Sequence, residues 1–280
     1  MTGIAFLLVI MSALLHAAWN FTAKRVSGNL SVLYLGMSGI CVVLLPFVLL
    51  RASGTIMPHA YPFVIVTGVI HALYFVALSR AYKYGNISTV YPVARGFGVI
   101  GTAIVAIAVL SEKVSLTGLC GIISAGFGIF VIGASVEKGI EGRRGLWFAF
   151  LVGSTMIGYS VVDKLAMAAI DPVIYIFWMI LFSMALLTPY MLIVRRRELI
   201  AAWKEHKKYS MAIGLGATAG YLLILFVFRM AQVSYVVAVR ELSVVVGSIL
   251  GVVYLRESLS IRKLLGILMV VAGLVLVRIA

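Results

Sequence analysis

The sequence predicts an all-α membrane protein of ten transmembrane helices, arranged as two inverted five-helix repeats. Three observations predict it. Hydrophobic residues fill 63% of the 280 positions and charged residues only 11%, against about 45–50% and about 25% in soluble domains. A soluble fold could not hide that much apolar side chain. The apolar runs are about 20 residues long, the length a helix needs to cross the hydrocarbon of a bilayer. The alternating stretches of about 10 residues that mark a membrane barrel are absent. Finally, the chain repeats itself. Sliding it by 145 positions places Arg240 on Arg95, Glu257 on Glu112, Ser260 on Ser115, Gly266 on Gly121 and Gly273 on Gly128.

The first repeat is expected over 1–135, a linker over 136–144 and the second repeat over 145–280. Spans one to five fall at 3–23, 31–50, 61–80, 88–110 and 116–134. Spans six to ten fall at 145–163, 173–194, 210–230, 234–254 and 262–279. No basic stretch precedes span one, so it is kept as a true span rather than a cleavable signal. Trp19 and Lys24 at its end match Tyr159 and Lys164 at the end of span six, 140 positions on. Spans three and eight end in Lys83-Tyr-Gly-Asn-Ile-Ser88 and Arg229-Met-Ala-Gln-Val-Ser234, an offset of 146. One residue has therefore been gained or lost within span four or nine. An odd number of spans per repeat turns the second repeat upside down, which puts a cavity near the bilayer midplane and suits alternating access.

The formal net charge of +14 does not point to nucleic acid, because the basic residues sit in short loops between spans, where topology places them. Sixteen Lys and Arg lie in loops after odd spans, five in loops after even spans and the C-terminus, and two inside the membrane. That bias puts the odd loops in the cytoplasm and both termini outside. The longest loop, Arg195 to Lys208, is expected on the membrane surface with Leu199, Ile200 and Trp203 towards lipid. Cys41 and Cys120 are expected as small core residues. No metal cluster, nucleotide loop or catalytic set is evident, so neither cofactor nor enzymatic activity is expected, and any active transport is secondary. Asp163 and Asp171 look isolated.

The intramembrane charges carry the functional reading. Arg95 and Arg240 lie too deep to reach the interface easily. They are expected to face a central cavity and to meet an anionic or zwitterionic substrate through fork-shaped hydrogen bonds. The alternative is purely structural pairing. Glu241 projects about 100° away from Arg240 on a helix and is a candidate for proton coupling, as are His16 and His71. Trp19, Asn20, Tyr91 and Tyr159 are expected to line the cavity, with Tyr74 and Tyr235 as weaker candidates. Pro92 removes a backbone bond beside Arg95 and is expected to kink span four as a gate. The glycines of spans five and ten are expected to allow close helix packing. Glu112 and Glu257 are expected to cap the helices that follow them.

Several of these motifs resemble the EamA-type ten-helix transporters of the drug/metabolite transporter superfamily. They are His16-Ala-Ala-Trp-Asn20 with Lys24, Tyr159-Ser-Val-Val-Asp-Lys164, Val90-Tyr-Pro-Val-Ala-Arg95, and the Glu112/Gly121/Gly128 and Glu257/Gly266/Gly273 endings. The resemblance covers essentially the whole chain. It implies a multi-pass transporter of the plasma (inner) membrane and leaves the substrate open among amino acids, sugars, nucleotide sugars, drugs and other metabolites. A fainter similarity is to small membrane proteins linked to phosphonate use. It also implies cytoplasmic termini, against the charge count. The expected partners are a small-molecule substrate and membrane lipids, with a homodimer left open. The competing reading is a membrane-embedded scaffold or lipid-handling protein without an aqueous pathway.

Overall fold

The computed structural model describes residues 1–26, 29–50, 61–85, 87–133, 140–255 and 259–280. Among them the chain forms α1 (Gly3–Arg25), α2 (Leu30–Leu50), α3 (Tyr61–Tyr84), α4 (Ile87–Val109), α5 (Leu116–Ile132), α6 (Ile140–Ala166), α7 (Pro172–Ile193), α8 (Arg196–Phe228), α9 (Val233–Arg240), α10 (Leu242–Leu255) and α11 (Ile261–Ile279). No strand occurs among the described residues. Eight stretches are long and apolar enough to cross a membrane, with α9 and α10 jointly supplying one of them, Val233–Tyr254. Of the two remaining expected spans, α5 is shorter, at 17 residues. The other, α11, carries Arg262, Lys263 and Arg278 at its ends. The protein is a multi-pass helical membrane protein.

Local chemistry sets the helix ends. Ser115 accepts a bond from the Gly118 N–H at 3.1 Å and starts α5. Asp171 accepts from Val173 and Ile174 ahead of Pro172 and starts α7, each case satisfying donors that a first turn leaves orphaned. The ends of α6 and α8 cap one another. Lys164 Nζ donates to the Phe228 and Ala231 carbonyls at 2.5 and 2.8 Å. Arg229 donates to the Met167 and Ile170 carbonyls at 3.3 and 2.9 Å. Cations at carbonyl ends are favoured by the helix dipole as well as by hydrogen bonding.

Glu112 departs from expectation. Its carboxylate accepts from the Val233 and Ser234 N–H groups at 2.6 and 3.1 Å and from the Ser234 hydroxyl at 2.6 Å. It thus caps α9, far away in sequence, and not the following α5, whose cap is Ser115. Glu257 lies outside the described residues. The expected linker also shifts, because residues 140–144 already belong to α6. In place of a loop at 195–208 the chain is helical from Arg196, with one non-helical residue at His206. Ile200 and Trp203 are exposed, but Leu199 packs against the core. Cys41 is buried, whereas Cys120 is exposed.

Packing follows the small residues. α5 lies along α11, and a Cβ added at Gly121 would sit 2.7 Å from the Gly273 carbonyl, one at Gly128 2.8 Å from the Gly266 carbonyl. Gly121 thus faces Gly273 while Gly128 faces Gly266, so the two helices run antiparallel at backbone contact. Elsewhere α3 packs on α6 and α7, and α8 on α1 and α2. Arg278 donates to the Met1 carbonyl at 3.3 Å, so the two ends of the chain meet on one side.

The glycine crossing yields a direct expectation. Gly121→Ala and Gly273→Ala should each destabilise the protein by roughly 1–3 kcal/mol, the usual range for overpacking. Gly39→Ala, whose new methyl meets nothing within 4 Å, should leave the melting temperature unchanged or raise it. Thermal unfolding in detergent reads the contrast. Equal shifts at all three positions would contradict the packing described.

Candidate functional site: a central cavity with one uncompensated arginine

Helical spacing brings polar groups of five helices onto one cavity. His16 and Trp19 are three apart on α1, His71 and Tyr74 three apart on α3, and Thr218 and Tyr221 three apart on α8, so each pair shares a face. With Tyr159 of α6 and Arg240 of α9 they line a cavity whose remaining wall is apolar, from α2 and α7 among others. Aromatic rings dominate it. His71 stacks on Tyr159 with centroids 4.5 Å apart, and Tyr159 meets Tyr221 and Tyr74 edge-on at 5.8 and 6.0 Å.

The two intramembrane arginines part company. Arg95 Nε donates to Glu241 Oε2 at 3.1 Å and its Nη2 donates to Oε1, with both side chains almost wholly buried. Nη1 lies 3.9 Å from the Met156 sulfur. This is a fork-to-fork pair, the strongest geometry available to the two groups. Neither residue lines the cavity. Glu241 also marks the interruption between α9 and α10. Its N–H donates to the Ala238 carbonyl at 3.1 Å and its own carbonyl accepts from Val244 at 2.9 Å, both three residues away. The helix thus tightens locally into 3₁₀ geometry.

Arg240, one residue earlier, faces the cavity. Its Nη2 donates to His16 Nδ1 at 3.1 Å, and its guanidinium carbon lies 5.3 Å from the Tyr221 ring centroid. Among the described residues no carboxylate lies within ion-pair distance of it. Its Nε has no hydrogen-bond partner, and neither does Thr218 Oγ1 on the same wall. The Trp19 indole donates to the same His16 Nδ1 at 3.2 Å. Indole and guanidinium can only donate, so Nδ1 holds a lone pair and His16 is neutral.

Asp163 was not legible as a site residue, yet it is fully buried beside the cavity wall. Its Oδ1 accepts from the Thr67 and Tyr175 hydroxyls at 2.6 and 2.5 Å, and its Oδ2 from Tyr221. Isolation along the chain hid a cluster drawn from four helices. The available signal was an aspartate deep in an apolar run, which demands partners wherever they come from.

Other expected residues stand elsewhere. Asn20 bonds the His16 carbonyl of its own helix at 2.8 Å and, like Tyr91, is not part of the cavity wall. Tyr235 is structural, its hydroxyl accepting from the Ser115 N–H at 3.1 Å. Pro92 lies inside α4, between Ile87 and Val109, and a further interruption near the arginines falls at Glu241.

The ion pair invites a double-mutant cycle. Arg95→Met and Glu241→Leu alone should each cost about 3–5 kcal/mol, because either leaves a buried charge uncompensated. The double variant should recover most of that loss. Melting temperatures of the four proteins measure it, and simple addition of the two losses would contradict a direct pair.

Comparisons with known proteins agree with this architecture. A model of the EamA-like transporter family matches residues 143–279, and one of the Small Multidrug Resistance protein family matches residues 58–124. No curated protein matches the chain. Among solved structures, one crystal structure 16% identical in sequence matches with a TM-score of 0.74, covering 99% of this chain and 96% of that one. That likeness speaks for the fold. Both family matches indicate a membrane transporter. The match over residues 143–279, just under half of the chain, is consistent with an EamA-type transporter.

Proposed function

We propose that the protein is a secondary transporter of the plasma (inner) membrane that moves a small polar metabolite with an anionic group by alternating access. Amino-acid-like and phosphate- or phosphonate-like compounds are the candidate classes. The observation that carries this reading is Arg240, a cavity-lining guanidinium with no carboxylate in ion-pair distance among the described residues and with Nε unpartnered. A buried cation is costly unless something offsets it, and a substrate anion supplies the missing acceptor. The aromatic wall suits the apolar remainder of such a ligand. Arg95, held by Glu241, serves the scaffold in this reading.

Alternating access draws support from the contact pattern. In the repeat register, Gly121 corresponds to Gly266 and Gly128 to Gly273. Exchanging residues 1–135 with 145–280 therefore maps the Gly121–Gly273 contact onto the Gly266–Gly128 contact. The pairing of α3 with α6 maps likewise onto that of α8 with α1. Such self-complementary contacts are what a two-fold axis between inverted halves produces. At one end of the bundle, Glu112, Lys164 and Arg229 tie the ends of α6 and α8 and the start of α9 together. We read this as the closed end of the pathway.

A thermal-shift panel of amino acids, phosphonates, sugar phosphates and neutral sugars tests the site. A ligand at 100 times its Kd stabilises by about 2.7 kcal/mol through mass action. An anionic compound should raise the melting temperature of the parent and not of Arg240→Ala. Stabilisation by neutral compounds alone, or a shift retained in Arg240→Ala, would contradict the reading. Separately, Glu112→Gln should weaken the closed end, seen as faster labelling of a cysteine introduced at Thr218 by a membrane-impermeant maleimide added on that side. Unchanged labelling would contradict a gating role.

A further inference from the structure

We propose that Asp163 is the protein's proton-binding site, loaded from the cavity through His71 and Thr67. The geometry is a wire. His71 lines the cavity. Its Nδ1 lies 2.9 Å from the Thr67 carbonyl, which can only accept, so Nδ1 carries the hydrogen and Nε2 the lone pair. The same Nδ1 is 3.1 Å from Thr67 Oγ1, and that hydroxyl donates to Asp163 Oδ1 at 2.6 Å. A proton taken from cavity water by His71 Nε2 releases the Nδ1 proton to Thr67 Oγ1, whose own hydroxyl proton passes to Asp163 Oδ1. One proton moves from water to the carboxylate, His71 ends neutral in its other tautomer, and no bond to carbon changes.

The surroundings single out Asp163 among the buried acids. It is faced by Thr67 and His71 from α3, Tyr175 from α7 and Tyr221 from α8, with Tyr159 one turn away on its own helix. Arg240 stands behind the Tyr221 ring, and Lys164 is turned towards the carbonyls that end α8. Among the described residues no cation pairs with Asp163, so protonation breaks no ion pair there. Glu241 differs, since both its oxygens are held by Arg95. His16 differs too, since its free lone pair already receives two donors. Tyr221 gives the site its use. Its ring carries Arg240 and its hydroxyl bonds Asp163, so occupancy of one is felt at the other. That use rests on the transport reading; the proton site itself does not.

Infrared difference spectra of the purified protein, taken as pH is lowered, test it without any substrate. A protonated-carboxyl C=O band that moves in D₂O should appear in the parent and in Glu241→Gln, and be absent from Asp163→Asn. Asp163→Glu should retain the band at a displaced frequency, which covers the case of an asparagine variant that fails to fold. After a rapid pH drop, Thr67→Val should slow the band's rise by about tenfold or more, the order of a positioned proton-transfer group. A band unchanged in Asp163→Asn and undisplaced in Asp163→Glu, or no band in the parent, would overturn the site. A Thr67→Val rise as fast as the parent's would overturn the route. A failed anion screen would leave these spectra untouched, so the two readings fail separately.

Discussion

A guanidinium and a carboxylate taken out of water together must satisfy each other, and Arg95 and Glu241 do so across two helices that are 146 positions apart in sequence. Desolvating both groups is expensive, and only a two-pronged geometry with every charge engaged offsets it. The pair therefore fixes where α4 lies against the α9–α10 junction. It also holds the interrupted turn at Glu241. Because consecutive helical residues project about 100° apart, anchoring Glu241 on Arg95 turns Arg240 the other way, into the cavity. One ion pair thus decides which arginine is scaffold and which is available.

The rest of the polar interior is built on shared groups. His16 Nδ1 serves both Trp19 and Arg240, Tyr221 serves Arg240 with its ring and Asp163 with its hydroxyl, and Thr67 lies between His71 and Asp163. Sharing makes the network responsive, because a ligand or proton that claims one partner changes the balance at the next.

Much of the fold was legible because its causes are local. Apolar run length gave eight of the expected spans, and the repeated Gly121/Gly128 and Gly266/Gly273 spacing pointed to a close helix crossing that the structure contains. The prominence of Arg240 followed from a charge in an apolar run. What stayed hidden was every partnership between distant helices. Nothing in the sequence near Glu241 names Arg95 as its partner, and Glu112 reads as a cap for the next helix because its real client, α9, is some 120 positions away. Asp163 looked isolated for the same reason. The interruption at Glu241 carries no proline or glycine signal, since it comes from tertiary pairing rather than backbone preference. Leu199 was misplaced because the surface segment's inner face is set by the core it rests on.

The most direct measurement of the central claim is arginine-specific labelling with phenylglyoxal, located by mass spectrometry. If Arg95 is consumed by Glu241 and Arg240 is open to the cavity, Arg240 should be modified, Arg95 spared, and Glu241→Gln should make Arg95 reactive. Modification of Arg95 ahead of Arg240 in the parent, or equal sparing of both, would contradict the account.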